Sequence, residues 1–188
     1  MDQLLAWDRE LFLSLNGLGS VSVDPFFLLL SHALTNVVVY LLAWLFLTRK
    51  LTWRSSAFIF AATLLLILIT DQFTNLAKYS FTRLRPCHDP ELQALVRLVK
   101  AGCGGQYGFF SGHASNSFAL ATFFSLFHRP IYRRLSFFFF GLAAAIAYSR
   151  IYLGVHFPMD VLVGAGVGSL YGWIVFKGFT AFLPLQYR

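Results

Sequence analysis

The sequence predicts an all-α protein: a polytopic membrane helix bundle of about five transmembrane helices, preceded by an N-terminal amphipathic helix in the membrane interface. Three observations lead there. Of 188 residues, 57% are hydrophobic and only 12% charged, whereas a water-soluble domain is about half apolar and about a quarter charged. The apolar residues fall into five long runs. The 15 basic residues, which outnumber 8 acidic ones and give a net charge of +7, sit between those runs and not on one polar face. A nucleic-acid-binding domain needs such a face, so that function class is excluded.

Residues 1–19 carry Asp2, Asp8 and Glu10 and lack the basic start and unbroken apolar stretch of a secretory signal. Leu4, Trp7, Leu11 and Leu15 recur at helical spacing, with Gln3, Asp8, Arg9 and Glu10 on other faces. That pattern predicts an interfacial helix; a soluble helix packed on the bundle is the alternative. Asp24-Pro25 then punctuates the chain. Five spans follow at 26–48, 56–78, 111–127, 135–149 and 158–179. A span needs about 17–25 residues, so the third and fourth must borrow interfacial residues at their ends. The one long connection, 84–109, contains Pro86, Pro90 and a Gly102 to Gly105 cluster and reads as loop. The whole chain, 1–188, is expected to form a single domain.

Five crossings put the termini on opposite sides. Side B holds Arg49, Lys50, Arg54, Arg129, Arg133, Arg134, Lys177 and Arg188 in short loops, with no acidic residue. The positive-inside rule makes that side, and the C-terminus, cytoplasmic. Side A carries seven basic residues against eight acidic ones and is expected to face outward, as the exterior or periplasmic face of a bacterial cytoplasmic (inner) membrane.

The topology brings three polar clusters to side A: Lys78 to Pro86 at the end of span two, Phe110-Ser111-Gly112-His113 at the start of span three, and Ser149 to Asp160 from span four into span five. Charged groups at bilayer depth are costly and face the bundle interior or a water-filled pocket. Lys78, Arg85 and Arg150 would form a triple cationic site, with arginine forks matching phosphate oxygens. Ser111-Gly112-His113 opens a helix, where free N–H groups and the dipole favour an anion. One histidine can attack phosphorus while the other protonates the leaving oxygen. Asp160, four residues after His156, can hold one ring nitrogen of that histidine. A phosphohistidine intermediate follows. The cations already offset the phosphate charge, so no metal or other cofactor is required.

The pattern Lys-x6-Arg-Pro, then Ser-Gly-His, then Ser-Arg-x5-His-x3-Asp resembles the tripartite signature of the type 2 phosphatidic acid phosphatase (PAP2) family of membrane lipid phosphatases. The signature runs from residue 78 to 160. The resemblance implies that Lys78, Arg85, Ser111, Gly112 and Arg150 bind phosphate, that His113 is the general acid and His156 the nucleophile, and that Asp160 orients His156. One departure is Phe110, where the family usually has proline; a proline there would only stiffen the turn. The short chain and the run Ser-Arg-Ile-Tyr-Leu-Gly-Val-His resemble bacterial members acting on undecaprenyl pyrophosphate. Phosphatidylglycerol phosphate, phosphatidic acid and a lipid A phosphate are further substrates the same motifs would accept. Phosphotransfer to another alcohol and a non-hydrolytic lipid-binding or transport role are rival functions. Vanadium haloperoxidases share the signature, but they are soluble, which this composition is not.

Four lesser features complete the reading. Asp71 and Asn75 share a face of span two with Lys78, either lining the pocket floor or bonding a neighbouring helix. His32 and Asn36 on span one are expected to interact with that face. Gly164, Gly168 and Gly172 recur every fourth residue, a spacing for close helix packing. Cys87 and Cys103 bracket the side A loop, and in an oxidising compartment a bridge between them is expected; it would close a loop of about 15 residues, worth ~3 kcal/mol in the chain-entropy model.

Overall fold

The computed structural model describes residues 2–128 and 133–182; of the side B cations, Arg129 and Arg188 lie outside them, as does the C-terminus. Seven α-helices follow in order: α1 (Asp2–Gly17), α2 (Asp24–Ser31), α3 (Ala33–Thr48), α4 (Trp53–Phe81), α5 (Gly112–His128), α6 (Arg133–Tyr152) and α7 (Pro158–Phe182). A single 3-10 turn, Pro86–His88, interrupts the loop between α4 and α5. Among the described residues there is no named β-strand; Leu84 and Tyr107 form an isolated bridge that pinches the loop's two ends together.

Helices α4, α6 and α7 are long and apolar enough to cross a membrane, and the pair α2 and α3 makes a fourth if taken as one span. Helix α5 has 17 residues, at the lower limit for a crossing. Span one was expected to be continuous, but α2 and α3 meet at 65°. His32 takes an extended conformation at the break, and Asn36 Nδ2 donates to the carbonyls of Leu30 and His32 at 3.0 and 3.2 Å. Asn36 therefore satisfies the break itself, and its expected pairing with span two is replaced by this local cap.

Helix α5 is the axis of the bundle. Leu66 of α4, Phe123 and Phe124 of α5, and Phe139 and Ala143 of α6 are buried together toward side B. On its other flank α5 meets α7 through the predicted glycines: a methyl group built at Gly168 would lie 2.1 Å from the Ser115 carbonyl oxygen, and one at Gly172 2.4 Å from that of Ala119. The two backbones are in direct contact there, as small-residue spacing allows. The outer faces are apolar, with Leu64, Leu68, Phe137, Leu162 and Trp173 all exposed, as a lipid-facing surface requires.

Helix α1 lies across the side A end. Its expected apolar stripe points away from the protein: Leu4, Trp7 and Leu11 are exposed, Trp7 by 59%. The face turned inward carries Asp8, Phe12 and Asn16, one per turn and all buried. Phe12 meets Phe157 edge to face at 5.4 Å. Asn16 Nδ2 donates to the carbonyls of Ile151 and Tyr152, and its Oδ1 accepts from Arg97 N at 2.8 Å. The helix thus both packs on the bundle and presents an apolar stripe outward.

Candidate active site

The turn between α6 and α7 delivers the second histidine. Helix α6 ends on Gly154, whose φ of +80° is left-handed, and Val155 N donates to Arg150 O at 3.1 Å to close the turn. A side chain at Gly154 would also strike the Arg97 carbonyl oxygen at 2.9 Å. Helix α7 then opens with Pro158 in its first turn, a position suited to proline's fixed φ and missing N–H. Asp160 Oδ2 accepts from Phe157 N at 3.0 Å, so the carboxylate caps the helix that carries it.

His156 is buried, and its Nδ1 faces Asp160 Oδ2 at 3.5 Å, long for a hydrogen bond. This leaves Nε2 as the nitrogen turned away from the carboxylate. Asp160, 0% exposed, is held on two further sides. Arg83 Nη1 donates to its Oδ1 at 2.7 Å, and its backbone carbonyl accepts from Ser111 N at 2.9 Å. The second contact ties the start of α7 to the start of α5.

At the start of α5, Ser111 is fully buried and its hydroxyl caps Ala114 N at 3.5 Å. The Ser111 N–H, expected to face an anion, is instead committed to Asp160. The N–H groups of Gly112 and His113 have no acceptor among the described residues. Lys78 Nζ overhangs this end, lying 4.0 Å from where a Cβ on Gly112 would stand. His113 Nε2 lies 3.2 Å from the Ser31 carbonyl oxygen.

The remaining cations close the ring. Thr82, in a left-handed conformation, ends α4, and the chain turns so that Arg85 Nε donates to Tyr107 O at 3.2 Å and Nη1 to Cys103 O at 2.7 Å. Cys87 and Cys103 form the expected disulfide, with Cα atoms 6.0 Å apart, so the bridge fixes the carbonyl that aims Arg85. Arg150 is buried; Nη1 donates to the Ser31 hydroxyl, and Nε has no acceptor among the described residues. Burial, with the charges of Arg150, Arg85 and Lys78, holds His156 well below the ordinary histidine pKa. The imidazole is therefore unprotonated at neutral pH. An anion of two charges would satisfy the orphaned guanidinium N–H and offset the mutual repulsion of the three cations.

All eight predicted catalytic and phosphate-site residues thus lie at one end of the bundle. Five others join them that the sequence reading did not single out for the site. Arg83 bridges Asp160 and Asp8; Ser31 anchors both Arg150 and His113; Asn16 fastens α1 to the loop; Lys100 is close enough to Arg150 and Arg85 that they, after burial, lower its pKa. Arg83 stood in plain view inside the Lys78 to Pro86 run. The others carry no local signal. Phe110, in place of the usual proline, is buried with its ring 6.2 Å from that of Phe73 on α4. Asp71 accepts from Asn116 Nδ2 of α5 at 2.7 Å, which is the helix-to-helix bond of the two readings.

Comparison with known proteins agrees with this geometry. The PAP2 superfamily pattern matches residues 56–183. A lipid A 4'-phosphatase of Porphyromonas gingivalis is 38% identical over 179 residues, covering 94% of this chain and 75% of the relative. A phosphatidylglycerophosphatase B of Bacillus subtilis is 29% identical over 92% of this chain and 75% of its own length. The crystal structure of Aquifex aeolicus LpxE superposes with a TM-score of 0.69 at 30% identity, covering 89% of this chain and 93% of that one. That of a transmembrane PAP2-type phosphatidylglycerolphosphate phosphatase from B. subtilis shares the fold, with a TM-score of 0.77 at 18% identity over 100% of this chain and 90% of the other. With its three motifs gathered around one buried histidine and these relatives beside it, the chain belongs to the PAP2 superfamily of membrane lipid phosphatases.

Proposed function

We propose that the chain removes a phosphate monoester from a membrane glycolipid of the lipid A class, through a phosphohistidine on His156. The observation that carries the chemistry is the buried His156, backed by Asp160 and surrounded by the charges of Lys78, Arg85 and Arg150. His156 Nε2 attacks phosphorus, forming an N–P bond as the P–O bond to the lipid breaks. His113 gives its proton to the leaving oxygen. Water then attacks the phosphohistidine, losing a proton to His113 and returning inorganic phosphate. The three cations and the N–H groups of Gly112 and His113 hold the equatorial oxygens, with the Ser111 hydroxyl beside them.

The substrate class rests on relatives. Two, from P. gingivalis and Bacteroides thetaiotaomicron, are named as lipid A 4'-phosphatases, at 38% and 34% identity. They favour this substrate over the undecaprenyl pyrophosphate expected from sequence. The B. subtilis phosphatidylglycerophosphatase B keeps phosphatidylglycerol phosphate as the second reading. The exposed Leu4, Trp7 and Leu11 support an interfacial position for α1, and the basic short loops of side B support an outward-facing site.

The test is phosphate release from a panel of lipid A, undecaprenyl pyrophosphate, phosphatidylglycerol phosphate and phosphatidic acid, using the full chain in lipid vesicles. Lipid A turnover with the highest kcat/KM is expected, and H156A abolishes it while leaving the fold intact. A fully active H156A refutes the nucleophile assignment, and preference for another lipid refutes the substrate.

A further inference from the structure

Arg83 and Asp8 are absent from the family signature, yet they make the shortest side-chain contacts to the apparatus behind the nucleophile. The Arg83 fork spans two carboxylates, with Nη1 2.7 Å from Asp160 Oδ1 and Nη2 2.6 Å from Asp8 Oδ2. Asp8 is itself buried, and its second oxygen accepts from Met159 N at 2.9 Å, in the first turn of α7. The guanidinium also lies over the Phe157 ring, 4.3 Å from its centre, and Phe157 packs on Phe12 of α1. Residues 157, 159 and 160, which surround His156 in sequence, are therefore all gripped by α1 directly or through Arg83.

We propose that Arg83 and Asp8 are positioning residues that hold the Asp160 carboxylate against His156, making helix α1 a working part of the active site. This rests on the reading of His156 as nucleophile. The physical case is one of direction. Asp160 Oδ2 already accepts from Phe157 N, so the torsion of its carboxylate, and hence the aim of Oδ2 at His156 Nδ1, is set by what binds Oδ1. Only Arg83 does so among the described residues. Arg83, half-buried with its side chain 20% exposed, in turn gains from an acceptor for its other nitrogen, since a partly desolvated guanidinium N–H without one is costly. Asp8 supplies it. An arginine that bridges two carboxylates with separate nitrogens of its planar fork fixes an orientation that a point charge would not. The Asp8 negative charge also offsets the positive charge that Arg83 would add near the phosphate site, so Arg83 acts through Asp160 and not on substrate.

The test compares wild type, R83Q, R83K, D8N, the double variant D8N/R83Q and the control H156A, as full chains in lipid vesicles with one lipid phosphate. Both kcat and KM are measured, with inhibition by inorganic phosphate reporting the anion site. A misplaced catalytic group costs about 10²-fold, so R83Q is expected to lose roughly 10- to 100-fold in kcat, with KM and phosphate inhibition moved less than about threefold. R83K regains part of that loss. D8N loses less, and D8N/R83Q is no slower than R83Q alone, because the two residues act in series. The double variant removes the buried charge that R83Q would leave on Asp8, so it tests the idea if R83Q fails to fold. Wild-type kcat in R83Q or in the double variant, or losses that multiply in the double variant, overturn the proposal. A rise in KM and phosphate inhibition constant in place of a fall in kcat also overturns it, by placing Arg83 on substrate. An active H156A instead overturns the nucleophile reading, which separates the two failures.

Discussion

Replacing Gly168 by alanine tests whether the catalytic geometry depends on the backbone contact between α5 and α7. The added methyl would stand 2.1 Å from the Ser115 carbonyl oxygen and 2.8 Å from its carbon. Ordinary contact begins near 3.4 Å, so the helices must part by about 1.3 Å, and no flexible side chain can yield in place of backbone. Gly168 lies eight residues below Asp160, roughly 12 Å along the helix at 1.5 Å per residue. The same pair of helices carries the 2.9 Å bond from Ser111 N to the Asp160 carbonyl, which a shift of that size would break. Overpacking costs about 1–3 kcal/mol, and a misplacement of about 1 Å at the reacting groups about 10²-fold in rate. The assay is phosphate release in vesicles together with thermal unfolding in detergent. Gly166 provides the control, since a methyl there meets nothing within 4 Å and gains up to about 1 kcal/mol in helix propensity. If G168A melts with G166A and retains activity within about threefold, the backbone contact does not set the site.

Two further outcomes follow from the loops at the site. His156 has a pKa well below its unfolded value, so the unfolded chain takes up the proton first; stability from its neutral form is complete above pH ~6.5 and falls as pH drops below that, by at most about 1.4 kcal/mol per pH unit. Melting curves should show H156Q less acid-sensitive than wild type, and parallel curves would refute this. Removing the disulfide by C87S/C103S should cost ~3 kcal/mol for a loop of this length and raise KM more than it lowers kcat, because Arg85 is aimed by the Cys103 carbonyl; an unchanged melting temperature and KM would refute both.

The legible residues were those whose chemistry is unusual for their surroundings. Lys78, Arg85, His113, Arg150, His156 and Asp160 are charged or titratable groups beside apolar runs, at spacings that a few helical turns explain. The glycines at 164, 168 and 172 were legible for the complementary reason, since only a backbone contact calls for such a row. The face of α1 was half legible. Its apolar stripe was visible, but in a lipid surrounding that stripe turns outward, and the polar residues Asp8 and Asn16 become the ones that pack. The break at His32 carries no proline or glycine, and its stabilising bonds from Asn36 form only once the chain has bent.

The sequence by itself determined the membrane class, through its composition, and the cysteine pair, through the two cysteines that bracket one loop, and it marked the candidate site residues by their charge beside apolar runs. Only the tertiary structure decided that Arg83 links Asp8 to Asp160 across 75 and 77 residues, that Ser31 anchors Arg150 across 119, and that Ser111 gives its N–H to Asp160. Those bonds join segments with no local relation, and they exist only because α5 and α7 pack backbone to backbone and α1 folds its polar face onto their ends.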